Sequence, residues 1–430
     1  MKVKFVTLGC KVNQVESEAM REALLAAGFQ EAAGGETADV VVVNSCTVTA
    51  TSDQKARQAL RREKKRNPGA VAVLTGCWPQ AFPQEAQEFL EADVVLGTAR
   101  RGDLVPRLLE YLSTKQRVVD IAPHQKGEKF EKLSISAMHG RTRAFVKIED
   151  GCDRFCSYCI IPYARGRVRS KPLEDIREEA ARLGEAGYKE VVLTGINLPA
   201  YGKDLGGDLC DAVEAACAAP GILRVRLGSL EPEQLTPPVI ARLAAQEKLC
   251  PQFHLSLQSG CDDTLRRMNR HYTTAEYRQI VGDLRKAFPN CAVTTDIMVG
   301  FAGETEEEFA KSLAFAKEIA FAKVHVFAYS RRPGTRAYDM PGQVPNREKE
   351  RRSREMIAAT LETQRAFFAA QTGRVEEVLF EQERDRNVYE GYTRNYTPVR
   401  VASAAPLQGQ IRQVRLTQAL EDFCLGELVL

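Results

Sequence analysis

The sequence lacks any hydrophobic run long enough to cross a membrane. A transmembrane helix requires about 20 consecutive apolar residues, and no segment of this 430-residue chain approaches that length. Residues 1–6 run directly into a strand pattern rather than into the apolar core of an export signal. We therefore expect a cytoplasmic protein with no secretion signal and no membrane partner.

The chain also lacks a strong net charge. Its 60 Lys and Arg residues nearly balance its 57 Asp and Glu residues, which leaves a formal net charge of +3. A charge this small does not by itself indicate a nucleic-acid partner, so local basic runs carry more information. The length leaves room for two or three domains.

Cysteine, by contrast, is abundant, with twelve residues. Because the cytosol keeps thiols reduced, we expect metal binding rather than disulfide bonds. Three cysteines lie in a single loop, and three others follow strand ends. The remaining six lie singly in helix, strand or loop patterns and are expected to be structural: Cys210, Cys217, Cys250, Cys261, Cys291 and Cys424.

The loop set is Cys152, Cys156 and Cys159, in the spacing C-x3-C-x2-C. Soft thiolates this close together suit an iron–sulfur cluster or zinc. A structural zinc site requires a fourth ligand nearby, and none follows in the loop. Three ligands on a four-iron cluster leave one iron open, which predicts a reactive cluster. The alternative is three cysteines that are simply buried.

The second set lies in the amino-terminal part of the chain. Residues 1–115 alternate continuous apolar strands with helices, which predicts a doubly wound parallel sheet. Cys10, Cys46 and Cys77 each follow the end of one of these strands, after a small residue. Because the carboxyl ends of parallel strands share one edge, we expect the three thiols to converge there as ligands of a second cluster.

A basic run follows Cys46 on a predicted helix. It has two interpretations: a solvated helix face, which is the usual meaning of a charge run, or a contact with RNA phosphates beside the predicted cluster. The basic residues are Lys55, Arg57, Arg61, Arg62, Lys64, Lys65 and Arg66.

Residues 116–140 are polar and predict a linker, and residues 141–370 contain six βα units. Such units predict a partial parallel (β/α)6 barrel similar to a TIM barrel, with its chemistry at the strand carboxyl ends. Polar or glycine-rich turns follow four of these strands, at residues 194–197, 228–232, 258–260 and 300–304. Such turns offer hydrogen bonds to a ribose or an amino acid. His325 lies within a strand pattern and is expected to be structural.

Residues 371–430 contain short alternating runs, which predict a small antiparallel β-barrel. Such barrels often bind RNA through arginines and stacked aromatic rings. One feature speaks against RNA binding: residues 374–430 contain seven Arg and nine Asp or Glu, so this domain is slightly acidic. The candidate RNA-binding face is Arg384, Arg386, Tyr389, Tyr392, Arg394, Tyr396, Arg400, Arg412 and Arg415.

The cysteine loop, with Tyr158 before its last cysteine, resembles the signature of the radical S-adenosylmethionine (SAM) enzymes. Its continuation at residues 160–170 resembles the methylthiotransferase branch. This resemblance implies a 4Fe–4S cluster on the loop that binds SAM, an auxiliary 4Fe–4S cluster in the amino-terminal domain, and a TRAM-like carboxyl-terminal domain. It also assigns SAM contacts to Tyr158, Asn197, Ser229, Gln258, Val299 and Gly300, with Glu231 serving SAM or the substrate.

Within that family, residues 7–14 and the turn at 229–232 look most like the branch that acts on N6-threonylcarbamoyladenosine in tRNA. Val15, Ala302, Ala328 and Arg336 depart from the family pattern and weaken the substrate assignment rather than the chemistry. Alternatives are isopentenyladenosine in tRNA, an aspartate of a ribosomal protein, and a non-catalytic iron–sulfur RNA-binding or redox-sensing protein.

The resemblance implies a reaction that uses two SAM molecules. One methylates a sulfur on the auxiliary cluster, and the other yields a 5′-deoxyadenosyl radical that removes hydrogen from C2 of adenosine 37, beside the anticodon. The C2–H bond is not acidic, so acid–base groups alone would not activate it. The implied partners are a tRNA anticodon stem-loop and a reductant such as flavodoxin or ferredoxin.

Overall fold

The structure is a computed structural model and describes residues 1–133 and 135–429. Ser134, in the predicted linker, and Leu430, at the end of the predicted last strand, lie outside the described residues. The chain forms a parallel sheet, then a partial barrel of parallel strands, then a small closed barrel. No helix among the described residues is long and apolar enough to cross a membrane.

The amino-terminal sheet has six parallel strands in the order β2-β1-β3-β4-β5-β6. Its strands are β1 (Lys2–Thr7), β2 (Gln30–Glu31), β3 (Val40–Ser45), β4 (Val71–Gly76), β5 (Val94–Leu96) and β6 (Val118–Asp120). Its helices are α1 (Lys11–Ala26), α2 (Ala50–Arg66), α3 (Cys77–Ala81), α4 (Pro83–Glu88) and α5 (Leu104–Thr114).

Helices cover both faces of this sheet, as the sequence predicted. Met20 of α1 and Leu108 of α5 pack with one set of strand residues, and Leu60 of α2 and Trp78 of α3 pack with the other. This double burial explains the unbroken apolar run in β3, all of which is buried. Strand β6 lies inside the segment that was predicted to be a linker.

The central part is an open barrel built from two parallel sheets, β7-β10-β11 and β12-β13-β14-β15. Its main strands are β7 (Ala144–Lys147), β10 (Glu190–Thr194), β11 (Arg224–Leu227), β12 (Ser229–Leu230), β13 (Gln252–Leu255), β14 (Ala292–Val299) and β15 (Lys323–Ala328). A two-stranded ribbon, β8 (Glu149–Asp150) and β9 (Arg169–Ser170), flanks the cysteine loop.

This arrangement confirms the predicted partial (β/α) barrel. The ribbon and the short strand β12 were not predicted, because two-residue strands have no periodicity to detect. The helices around the barrel are α6 (Ile161–Arg165), α7 (Leu173–Glu185), α8 (Leu209–Cys217), α9 (Pro237–Ala244), α10 (Asp262–Arg267), α11 (Thr274–Ala287), α12 (Glu306–Ile319) and α13 (Asn346–Ala369).

The carboxyl-terminal barrel closes in the order β16-β17-β18-β20-β19. All its strand pairs are antiparallel except β18–β20, which is parallel. A ring of five strands cannot alternate in direction all the way round, so one parallel pair is required. The strands are β16 (Val375–Asp385), β17 (Val388–Thr393), β18 (Pro398–Ala402), β19 (Ile411–Ala419) and β20 (Cys424–Leu428).

Both outer parts contact the central barrel through buried groups. Val15 and Ala19 of α1 belong to the same hydrophobic core as the barrel strands. Arg224, the first residue of β11, and Arg226 of the same strand donate hydrogen bonds to backbone carbonyls at the end of β17 and just after it. The carboxyl-terminal barrel therefore covers the amino ends of the central strands.

Candidate cluster and cofactor site

The strand register brings Cys10, Cys46 and Cys77 to one edge of the amino-terminal sheet. Thr7 pairs with Asn44 and Asn44 with Thr75, so β1, β3 and β4 end side by side. Cys46 and Cys77 follow the paired residues at the ends of β3 and β4 directly. Gly9 has φ +119°, and a Cβ there would lie 2.9 Å from Cβ of Cys46.

Two features hold this edge together: the small residue noted before Cys77, and a buried asparagine that the sequence analysis missed. Gly76 has φ +101°, and a side chain there would lie 2.4 Å from the carbonyl oxygen of Ser45. Asn13 is fully buried and donates from Nδ2 to Oδ1 of Asn44 over 3.2 Å. Its Oδ1 accepts from Sγ of Cys10 over 3.2 Å, so the first thiol is tied to the strand ends.

The Cys152 loop is fixed at its base and at its middle. The backbone N–H of Cys152 donates to Gly166 over 3.0 Å, and that of Ser157 donates to Met268 over 2.9 Å. Phe155 has φ +48°, a conformation unusual for a residue with a side chain. This turn places Cys152, Cys156 and Cys159 in one compact loop beyond β7, at the carboxyl end of the barrel.

Burial raises the pKa of several of these thiols. It raises the pKa of Cys77 and of Cys152 to about 12, and it also raises the pKa values of Cys46 and Cys159. A buried thiolate requires a nearby positive charge, which a bound metal supplies. Two sets of three soft ligands therefore fit two iron–sulfur clusters by the chemistry of their donors.

Two predicted SAM contacts carry buried polar atoms that have no partner among the described residues. These atoms are Oδ1 of Asn197 and Oε1 of Gln258. Asn197 lies beside the cysteine loop, with its Nδ2 3.8 Å from Sγ of Cys152. Buried polar groups are normally hydrogen-bonded, so both atoms fit a polar ligand such as SAM at the carboxyl ends of β10 and β13.

The other predicted contacts occupy the same rim with different partners. Val299 is buried at the end of β14, and the N–H of Gly300 donates to Glu304 over 2.6 Å. Tyr158 packs edge-on against Phe301. Ser229 is exposed and lines a cavity of about 700 Å³ that extends from Lys11 to the carboxyl-terminal barrel.

Glu231 forms an ion pair with Arg270, which the sequence analysis missed. The guanidinium of Arg270 is almost completely buried and also donates to Sγ of Cys156 over 3.3 Å. Glu231 therefore holds an arginine against a cysteine of the loop. An ion pair with a residue 39 positions away has no local sequence signature.

A buried charge cluster lies between the two cysteine sets. Arg165 donates to Oε1 of Glu16 over 2.7 Å and to Oδ1 of Asp150 over 3.0 Å. Lys147 bridges the same two carboxylates at 2.8 and 2.7 Å. Although burial opposes it, the surrounding cations, Arg101 among them, lower the pKa of Glu16 to about 2. Paired charges of this kind hold the amino-terminal sheet against the barrel.

The structure does not bring the nine candidate RNA-binding residues onto one face. Tyr389 is buried, and Tyr392 and Tyr396 stack against each other beneath Arg143 of the central part. Arg394 donates to the carbonyl of Leu249, and Arg384 and Arg400 pair with Glu390. The exposed members without an ion pair among the described residues are Arg386, Arg412 and Arg415.

Several basic side chains of helix α2 likewise contact other residues of the amino-terminal part. Arg57 lies over the ring of Trp78, and Arg61 and Lys64 pair with Glu91 and Asp93. These contacts favour the solvated-face interpretation for that part of the helix.

The six cysteines expected to be structural are all buried.

Comparisons with known proteins agree with this architecture. The radical SAM superfamily matches residues 146–316, and the uncharacterized protein family UPF0004 matches residues 2–97. The fold is similar to that of TsrM, a radical S-adenosylmethionine methyltransferase from Kitasatospora setae, with a TM-score of 0.59, 14% identity, and coverage of 78% of this chain and 75% of that one. At this identity, the likeness shows the fold alone.

Two curated relatives match nearly the whole chain. One is threonylcarbamoyladenosine tRNA methylthiotransferase MtaB of Bacillus subtilis, 37% identical over 99% of this chain and 96% of that protein. Another is a tRNA-2-methylthio-N(6)-dimethylallyladenosine synthase of Pelotomaculum thermopropionicum, 35% identical over 97% of this chain and 95% of that protein.

The barrel and its cysteine loop define a radical SAM enzyme. More specifically, the chain belongs to the radical SAM family of tRNA methylthiotransferases. The cofactors of this family are SAM and 4Fe–4S clusters.

Proposed function

We propose that this protein methylthiolates C2 of N6-threonylcarbamoyladenosine at tRNA position 37, in the cytoplasm. The product is 2-methylthio-N6-threonylcarbamoyladenosine. The observation that carries the proposal is the pair of cysteine triads, one at a sheet edge and one in a barrel loop, with Arg165 in contact with Cys77 of the first and with Asp150, two residues before Cys152 of the second. The name of the Bacillus subtilis relative supports this substrate.

In this proposal, Cys152, Cys156 and Cys159 hold the 4Fe–4S cluster that binds SAM. Cys10, Cys46 and Cys77 hold the auxiliary 4Fe–4S cluster. Bound there, the clusters and SAM supply the radical chemistry that replaces the hydrogen at C2 with a methylthio group, given an electron from a reductant such as flavodoxin or ferredoxin.

The chain's own residues position and shield these groups. Asn197 and Gln258 offer their unpartnered buried oxygens to SAM. Arg165 and Arg270 direct N–H groups at Sγ of Cys77 and Cys156, which stabilises thiolate charge. Such hydrogen bonds to metal-bound sulfur also tune a cluster's reduction potential.

A second candidate substrate is isopentenyladenosine in tRNA. The dimethylallyladenosine synthase relative is almost as similar to this chain as the threonylcarbamoyladenosine enzyme is. Both activities use the same cysteine sets, so the cysteines do not distinguish them. The residues around the base decide which substrate is accepted.

The test is mass spectrometry of tRNA nucleosides from cells that lack this protein and from cells in which it is restored. We expect 2-methylthio-N6-threonylcarbamoyladenosine to disappear and return, and Cys10→Ala and Cys156→Ala each to fail to restore it. Cys291→Ala, at a buried cysteine outside both sets, is the matched control and should restore it. An unchanged level of this nucleoside would show that N6-threonylcarbamoyladenosine is not the substrate. Isopentenylated tRNA and ribosomal protein would then be examined.

A further inference from the structure

The cavity of about 700 Å³ runs through the interior of the central barrel. Its walls include residues from β11, β12, β13, β14 and β15, together with Tyr392 and Tyr396 of the carboxyl-terminal barrel. Lys11, the residue that follows Cys10 and begins α1, also lines it. The cavity wall therefore includes the residue next in sequence to one of the auxiliary cysteines.

The side chain of Lys11 is exposed and faces this cavity. Within the part of the chain that the structure describes, its ammonium has no carboxylate within salt-bridge distance and no hydrogen-bond acceptor. The four arginines on the cavity wall differ in this respect. Arg143 pairs with Glu381 at 2.7 Å, and Arg226 pairs with Glu190 at 2.8 Å. Arg384 and Arg400 pair with Glu390 at 2.7 and 2.8 Å.

Two of the three acidic groups on the cavity wall already have partners. Asp296 lies 3.3 Å from Nε2 of His254, and Glu390 is held by two arginines. The third, Asp422, is exposed and has no ion pair among the described residues. His254 also contacts the hydroxyl of Thr294 over 3.0 Å, which adds polar groups midway along the wall. The cavity thus has space, hydrogen-bonding groups and, in Lys11, an unpaired cation next in sequence to Cys10.

We propose that this cavity holds the N6 substituent of the substrate adenosine and that Lys11 binds its carboxylate. This inference rests on the proposed function. C2 and C6 of adenine flank N1, so a base whose C2 faces the auxiliary cysteines presents its N6 substituent on the same edge, toward Lys11. A carboxylate and an ammonium attract each other more strongly between protein walls than in bulk water.

Lys11 is therefore a specificity-determining residue. A threonylcarbamoyl group carries a carboxylate that an ammonium binds, whereas an isopentenyl group is uncharged and gains nothing from it. An unpaired cation facing the N6 substituent favours the charged modification over the apolar one.

The test measures the affinity of the reconstituted holoenzyme for three anticodon stem-loop RNAs by fluorescence anisotropy, without reductant. Position 37 carries threonylcarbamoyladenosine, its carboxyl methyl ester, or unmodified adenosine. We expect the wild-type protein to bind the acid about tenfold more tightly than the ester. Lys11→Met should bind the acid and the ester equally, and Lys11→Arg should keep most of the preference.

Lys203→Met is the matched control, since Lys203 is exposed, lies outside this cavity and has no ion pair among the described residues. It should keep the preference for the acid. The inference is overturned if Lys11→Met keeps the preference, or if Lys203→Met loses it to the same extent. Should Lys11→Met fail to load iron, the acid-to-ester ratio of the wild type still decides whether the carboxylate is bound at all.

Failure of the proposed function gives a different result. A wild-type enzyme that methylthiolates the threonylcarbamoyl RNA but binds acid and ester equally overturns only the role of Lys11. An enzyme that methylthiolates isopentenyl RNA and leaves threonylcarbamoyl RNA unchanged overturns the proposed substrate itself.

Discussion

The Nε–H of Arg165 donates to Sγ of Cys77 over 3.2 Å. Arg165 ends the short helix α6 after the Cys152 loop, and Cys77 begins α3 in the amino-terminal sheet. The same guanidinium contacts Glu16 and Asp150, and Asp150 lies two residues before Cys152. One buried side chain therefore links the two cysteine sets.

Replacement of Arg165 by Met should destabilise the protein by about 3 kcal/mol. The substitution leaves Glu16 and Asp150 buried with fewer cations, although Lys147 and Arg101 still contact both. The apparent free energy of unfolding in urea gives this value, and iron content per chain reports whether the auxiliary site still loads.

Arg167→Met is the matched control for that measurement. Arg167 is two residues away, but its side chain is 67% exposed and its ion pair with Asp153 is at the surface. Its loss should change the free energy of unfolding by less than about 0.5 kcal/mol. Equal effects of the two substitutions would show that the buried contacts of Arg165 contribute little.

Glu149 predicts a pH dependence of stability. Burial raises the pKa of this carboxyl from the ordinary 4.5 to about 8. The backbone N–H groups of Asn197 and Ile196, which donate to one of its oxygens, act in the opposite direction and lower the pKa. Between these pH values the folded protein holds a proton that the unfolded chain has released. Stability should therefore fall as pH rises from about 4.5 to 8.

Glu149→Gln should remove this part of the pH dependence, since glutamine does not titrate and its oxygen can accept the same two N–H groups. Thermal unfolding midpoints of both proteins, measured across that pH range, test the effect. Parallel curves for the wild type and Glu149→Gln would show that another group is responsible.

Sequence reasoning located both cysteine sets because each depends on local pattern. The loop set has a fixed spacing, and the ends of buried strands can be read from apolar runs such as residues 40–43. The parallel register then brings Cys10, Cys46 and Cys77 together. Convergence at a sheet edge follows from topology alone.

The charged groups that support these cysteines could not be found in this way. Glu16 and Arg165 are 149 residues apart, and Arg270 reaches Cys156 across 114 residues. Nothing in the sequence around Glu16 distinguishes a buried glutamate on α1 from an exposed one. Such pairs depend on how the amino-terminal sheet and the central barrel pack together.

Domain packing also explains why the nine candidate RNA-binding residues do not form one exposed face. Tyr392 lies on β17 and Tyr396 in the turn that follows it, and both rings pack toward arginines of the central part, Arg143 and Arg226. The sequence pattern shows which residues share a face and does not show what covers it. The short strand β6 was missed for a simpler reason, because three residues give too little periodicity.

Substitutions of Gln258 can separate the contribution of its side chain to SAM binding from the effect of its backbone conformation on stability. Its side-chain oxygen is buried without a partner among the described residues, and its φ is +67°. Gln258→Ala should weaken SAM binding about tenfold through loss of one hydrogen bond to a charged ligand. Calorimetric titration of SAM into the reconstituted protein measures this change.

Gln258→Gly should weaken SAM binding to a similar extent. Its free energy of unfolding should be about 1 kcal/mol higher than that of Gln258→Ala, because glycine adopts positive φ without the steric cost that Cβ imposes. If both variants bind SAM as the wild type does, Gln258 is not a SAM contact, whatever their stabilities.

The exposed arginines of the carboxyl-terminal barrel provide the last prediction. Arg386 and Arg412 are exposed and, among residues 1–133 and 135–429, have no ion-pair partner. If this barrel contacts tRNA phosphates, Arg386→Ser and Arg412→Ser should each reduce the slope of log affinity against log salt by about one. Filter binding of the substrate tRNA over a range of salt concentrations measures the slope.

Arg400→Ser is the comparison, because Arg400 is already neutralised by Glu390 at 2.8 Å and lies over the ring of Phe423. A paired arginine releases few counterions when RNA binds, so this variant should keep the wild-type slope. Unchanged slopes for all three variants would move the RNA contact away from this barrel. Lys55, an exposed basic residue near the start of α2, would then be the next to substitute, since that helix begins four residues after Cys46.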